Sequence, residues 1–221
     1  MSSEVEICNL ALSHLGDAAN VASINPPEGS AQAEHCQRWY PVARDALLEM
    51  HDWGFATKRA LLALVENPFS QWAYAYAKPS DALKIIAIMA SDAPGDYAVG
   101  QPLAGSTPLQ VDQRGVYIPQ QFVTETDDDG REIIYTNQVN ALARYTKLIT
   151  DTGRFSPMFR DTLACYLASF LAGPVLKGDS GISTGRAKLT QAMEMLARAR
   201  LSNAQQQRQD VAHEVPWLAG R

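Results

Sequence analysis

Residues 38–60, RWYPVARDALLEMHDWGFATKRA, mark the change of layer in this 221-residue chain. On the upstream side Cys36, Tyr40, Ala43, Leu47 and Met50 recur by threes and fours, while Arg38, Asp45 and Glu49 take the opposite face. That spacing predicts an amphipathic helix, started by Ser30 as N-cap and ending near His51. Pro41 lies inside it; its missing N–H and its ring predict a kink or a break. Trp53, Gly54 and Phe55 then turn the chain. Beyond them helical periodicity fades, so Trp53 and Phe55 are read as the structural corner that fixes the angle between a helical layer and a β layer.

Toward the N-terminus, Ser3 followed three residues later by Glu6 forms a capping box for a first helix. Its core positions are Val5, Cys8, Leu12 and Leu15, with Gly16 as the stop. Residues 20–29, with Asn25-Pro26-Pro27, read as a loop. Toward the C-terminus, short runs rich in Ile, Val, Tyr and Thr alternate with Pro, Gly and Asp. Residues 72–76, WAYAY, predict a strand with one aromatic face, and 83–89 a second strand. Residues 91–108 read as a long loop. Residues 116–125 and 132–136 read as hairpin arms around Asp129-Gly130, and 142–149, whose pattern suits helix or strand, is taken as a further strand.

Helix resumes after Asp151, with Ser156 and Pro157 as N-cap and first helical residue. Residues 158–176 are apolar nearly all round, through Phe159, Leu163, Tyr166, Leu167, Phe170 and Leu171, and predict the most buried helix. Residues 177–183 read as a Gly-rich loop, with Thr184 capping a last helix whose stripe is Leu189, Ala192, Met193, Leu196 and Ala199. The expected fold class is α+β: a helical bundle from the N- and C-terminal helices with an inserted antiparallel β domain. The expected segments are 1–55 and 151–208 for the helices, 56–150 for the β domain, and 209–221 as an extended tail.

A hydrophobic share of 46% and a charged share of 19% are those of a globular chain rather than a disordered one. The formal net charge of −5 argues against a protein whose task is gripping nucleic acid, though not against one past which nucleic acid slides. Cys8, Cys36 and Cys165 form no Cys-x-x-Cys unit and fall at apolar helical positions; they read as free buried thiols in a reducing compartment. The first residues carry acids where an export signal needs bases. The longest apolar run, 163–176, is shorter than the roughly 20 residues of a membrane span, so no membrane association is expected.

Several local patterns imitate active sites. Gly178-Asp179-Ser180-Gly181 matches the nucleophile tetrapeptide of trypsin-like proteases, yet it joins two predicted helices and reads as a connector. Asp127-Asp128-Asp129-Gly130 resembles part of a calcium loop, but the position of the bidentate Glu holds Thr136. His14, His35, His51 and His213 have no metal-pair spacing, and adjacent helical residues such as His51 and Asp52 do not face one another. No phosphate or dinucleotide fingerprint is present, so neither a catalytic residue nor a cofactor or metal is expected. The arginines of the last helix are dispersed around it. The aromatic residues of 53–76 lack interleaved bases and read as β-layer core. Trp217 and Leu218 stand out instead, as an apolar pair beyond a polar helix end.

The ordered set ICNLALSHLG (7–16), RWYPVARDALLEMHDWGFATKRALLA (38–63), WAYAYAKPSDALKI (72–85), GREIIYTN (130–137) and FSPMFRDTLACYLASFLAGPVL (155–176) resembles the head-to-tail adaptor of short-tailed bacteriophages, the tail tubular protein A family. The resemblance runs from residue 5 to about residue 200. It implies a helical bundle with a β domain and a ring of twelve copies between the capsid portal and the tail nozzle. Double-stranded DNA would pass through the centre without specific binding. It implies no catalytic residue and a place in the virion tail, assembled in the host cytoplasm. It also gives the tail a use, with Val215, Pro216, Trp217, Leu218 and Arg221 docking on the portal. The rival expectations are a nucleic-acid-binding accessory protein using the last helix, and a small hydrolase using Ser180 or His51.

Overall fold

The computed structural model describes residues 3–18, 20–91 and 120–206. Helix α1 spans Glu4–Ser13 and opens on the predicted capping box: Ser3 Oγ accepts from the Glu6 N–H at 3.1 Å, and Glu6 Oε2 accepts from the Ser3 N–H at 2.9 Å. Ile7, Cys8, Ala11 and Leu12 are its buried face, and Gly16, at φ 76°, ends the turn that follows. Helix α2 spans Ala31–Glu49 from the Ser30 cap and runs through Pro41 unbroken. Burial of Tyr40, Ala43, Leu47 and Leu48 on both sides of the proline offsets the lost donor, which costs about 3 kcal/mol in an isolated helix. Met50, expected in the stripe, is exposed.

Helix α3 spans Pro157–Leu176 from the Ser156 cap, and α4 spans Gly178–Gln205. The predicted loop at 177–183 is not there. The turn is made by Lys177 and Gly178 alone, both at positive φ, and Thr184 lies inside α4 rather than capping it. The glycines serve close approach instead. A Cβ on Gly181 would sit 2.8 Å from the Ala172 carbonyl oxygen, and one on Gly185 would sit 3.1 Å from that of Ser169. Helices α1, α2 and α4 all pack on α3, and helices from both ends of the chain share one core. Ten residues of α3 are buried, as its all-round apolar sequence predicts.

Among the described residues, seven strands lie between α2 and α3: β1 Thr57–Leu61, β2 Ala63–Val65, β3 Tyr74–Ala77, β4 Ala82–Met89, β5 Phe122–Thr126, β6 Glu132–Thr136 and β7 Leu142–Lys147. They form two antiparallel sheets, in the orders β1-β7-β4 and β2-β3-β6-β5. Tyr76 and Ile134 of the second sheet cluster with Ile88, Ala143 and Tyr145 of the first. The expected aromatic face of 72–76 is divided. Tyr74 and Tyr76 point into that cluster, while Trp72 packs with Ala75, Ile133 and Tyr135 on the other side. The fold class is α+β. The three-stranded sheet adjoins the helices through β4, which packs on α2, and through the Lys147 N–H, which donates to the Ala56 carbonyl at 2.8 Å.

The loop expected over 91–108 falls outside the described residues except for Ser91, as do the first four residues of the 116–125 arm and all of the 209–221 tail. No described helix is long and apolar enough to cross a membrane.

Candidate functional site

Trp53 is 1% exposed, and its Nε1–H donates to the Leu47 carbonyl at 2.8 Å, which ties the corner to the last turns of α2. Its ring meets Phe159 edge-on at 5.0 Å and stacks on Phe55 at 5.8 Å. Phe55 in turn contacts Phe159 at 5.1 Å and Phe155 at 5.8 Å. The corner is therefore an aromatic wedge seated on the first turn of α3 and part of the helical core, against which Leu83 of β4 also packs. The chain leaves it directly into β1, where Thr57 Oγ1 donates back to the Trp53 carbonyl at 2.8 Å.

Around this wedge lies a polar ring drawn from three parts of the chain. Arg200 Nη2, from α4, donates to the Met50 carbonyl at 2.7 Å. Lys84 Nζ, from β4, binds Asp52 Oδ1 at 2.8 Å and reaches the Glu49 carbonyl at 3.4 Å. Both cations sit where the unpaired carbonyls at the end of α2 carry partial negative charge. Asn203, also from α4 and buried, accepts from the Gly54 N–H at 3.0 Å and places its Nδ2 3.1 Å from His51 Nε2. His51 stands edge-on to Trp53 at 4.8 Å. Burial, and secondarily the Arg200 guanidinium, hold its imidazole below the ordinary histidine range.

His51 and Asp52 do not pair with each other: one faces Asn203 and the other Lys84. Sequence reasoning missed Asn203, although a signal was present. Buried positions 192, 196 and 199 of α4 continue to 203 at helical spacing, so a polar residue on the apolar stripe marks a required hydrogen-bond partner.

The other candidates are kept apart by the fold. Ser180 is exposed in the first turn of α4, whereas His51 meets the last turns of the same helix. At 1.5 Å per residue these places are roughly 35 Å apart. The Asp127–Asp129 run forms a hairpin tip whose acids are engaged internally. Arg131 binds Asp127 Oδ2 at 2.9 Å and Asp129 Oδ2 at 2.6 Å, and the Arg131 N–H donates to Asp127 Oδ1 at 2.7 Å. These contacts, led by the backbone N–H, lower the Asp127 pKa. Among the described residues no group of His, Cys, Asp and Glu is arranged to hold a metal. Cys8, Cys36 and Cys165 are free and buried; the hydrogen bond from Cys36 and burial push the Cys8 thiol up. Of the last helix's arginines, Arg200 is used at the corner, and Arg186 and Arg198 are exposed. Val215, Pro216, Trp217, Leu218 and Arg221, expected from the sequence to dock on a portal, lie outside the described residues.

Among the described residues, two grooves gather large exposed apolar side chains. Leu61, Leu64 and Val139, with Tyr74 and Tyr76 behind them, line a groove of about 400 Å³ at one end of the sheets. Ile182 and Leu189, with Tyr166 and Phe170, line another of about 430 Å³ between α3 and α4. No protein-family model matches this chain, and no curated protein is significantly similar to it.

Proposed function

We propose that this chain is a structural virion protein, one subunit of a ring-forming head-to-tail adaptor that joins the capsid portal to the tail nozzle and lines the DNA exit channel. The reading rests on the ordered resemblance over residues 5–200. The observation that carries it physically is the pair of separated apolar surfaces, one at the sheet end (Leu61, Leu64, Val139) and one on the helices (Ile182, Leu189). Large side chains exposed in groups mark contact sites, and two different sticky surfaces on one subunit favour head-to-tail contacts that close into rings. Repetition around a closed ring strengthens contacts that are individually modest.

In this role the protein needs no cofactor and no catalytic residue. The net charge of −5 keeps the channel wall from holding phosphates as DNA passes. Twelve copies, and a place in the virion tail after assembly in the host cytoplasm, follow from the resemblance. Val215, Pro216, Trp217, Leu218 and Arg221 supply the portal contact. Electron microscopy of the protein alone and mixed with a portal tests the proposal, with rings seated on the portal as the expected result. Removing everything after Asp210 should leave a folded subunit that no longer joins the portal. Unchanged affinity of the truncated protein for portal rings would overturn the assignment of the tail.

A further inference from the structure

The last turns of α4 are held on the corner by hydrogen bonds that leave His51 a single choice. The Gly54 N–H donates to Asn203 Oδ1 at 3.0 Å, which fixes which end of the carboxamide is which. The NH2 group then points the other way, toward His51 Nε2 at 3.1 Å and the Asp52 carbonyl at 3.4 Å. Two donors cannot face each other, so His51 Nε2 must present its lone pair and the neutral ring must carry its proton on Nδ1. That is the less common tautomer of a free imidazole, and the contact with Asn203 imposes it.

We propose that His51 is a proton-operated release for the end of α4: the neutral ring accepts from Asn203 and holds the helix on the corner, and the protonated ring lets it go. A proton taken from water at Nε2 sets N–H against N–H. Turning the Asn203 carboxamide over does not help, because it would set its NH2 against the Gly54 N–H. The charged groups facing the ring are Arg200 from α4, Lys84 from β4 and Asp52 from the corner itself. Asp52 favours the proton, but its carboxylate is engaged by Lys84 at 2.8 Å, and Arg200 adds a second cation.

The sign follows. The held state prefers the neutral ring, so its pKa lies below the ordinary histidine value of 6.5, while a released His51 titrates near that value. The contact is complete above about pH 6.5, weakens as pH falls from there through the held-state pKa, and changes no further below it. Between the two pKa values the released population grows by about tenfold for each pH unit, since one proton is taken up.

Nitrogen-15 NMR of the histidine-labelled full chain tests this. At pH 8 the expected signals are a protonated Nδ1 and a bare Nε2 for His51. On acidification the Asn203 side-chain amide and the Gly54 amide should move together with the His51 titration. A protonated Nε2 at pH 8, or a His51 pKa at or above 6.5, would overturn the proposal. His51→Gln keeps an acceptor that does not titrate and should flatten the pH response of Gly54 and Asn203; an unchanged response would also overturn it. Asn203→Asp places a carboxylate against the ring and should reverse the sign, raising the His51 pKa and keeping the contact at pH 5. A His51 pKa that stays lowered in this variant would count against the proposal even if His51→Gln did not fold.

Discussion

Around α3, Phe159, Leu163, Leu167 and Leu171 are enclosed by three other helices, whereas among the described residues the fully buried core shared by the two sheets is Tyr76, Ile88, Ile134, Ala141, Ala143 and Tyr145. The sheets make up the difference with polar ties. Lys78 binds Glu132 at 2.8 Å, Lys58 binds Asp81 at 3.0 Å, and the Tyr145 hydroxyl donates to Asp81 at 2.8 Å. Exposed ion pairs of this kind contribute about 0.2–1 kcal/mol each, less than one buried aromatic side chain. The helical half is thus held by close packing around one element, and the strand half by many small contacts. A closely packed helical half beside a more lightly packed β half would suit the ring subunit proposed above.

Substitutions can break this contrast. Phe159→Ala removes the ring on which both Trp53 and Phe55 rest, and should cost about 4 kcal/mol in urea-induced unfolding. A loss below about 1 kcal/mol would mean that the corner is not seated on α3. Gly181→Ala should cost about 2 kcal/mol, because the added Cβ meets backbone rather than a movable side chain. Gly173→Ala, at the same crossing on α3 but with its own Cβ direction open, should instead stabilise by about 0.7 kcal/mol. Equal effects at the two glycines would remove the close-approach explanation. In the strand half, Tyr76→Phe deletes the hydroxyl that donates to the Gln138 carbonyl at 2.8 Å and should cost about 1 kcal/mol. Hydrogen exchange should place that loss in the sheets and leave α3 protected; a uniform loss would show that the halves unfold as one unit.

Much of this fold is legible in the sequence because its signals are local. Ser3 with Glu6, Ser30, and Ser156 with Pro157 start helices where expected, since a cap needs only backbone groups three residues away. The β-prone run 132–136 beside the Asp129-Gly130 turn is enough to mark a strand, whereas 142–149, equally open to helix, becomes β7 by pairing with β1 and β4. The candidate site was half legible. Trp53 and Phe55 announced a corner by their size, and His51 drew attention as a titratable group, but its true partner lies 152 residues away in sequence.

The chain by itself marked the four helices, the regions of β3 to β7 though not β1 or β2, the starts of α1, α2 and α3, and that α3 would be the most buried. It also left an asparagine on an apolar stripe for which something had to answer. Only the tertiary structure decided that Gly181 and Gly185 let α4 press onto α3 instead of loosening a loop, and that Asn203 would close the corner. The reason is physical: a missing Cβ looks the same in a turn as in a close contact, and a carboxamide looks the same wherever it points. Each acquires its meaning from the Ala172 carbonyl, the Gly54 N–H or the His51 lone pair that the fold brings to it.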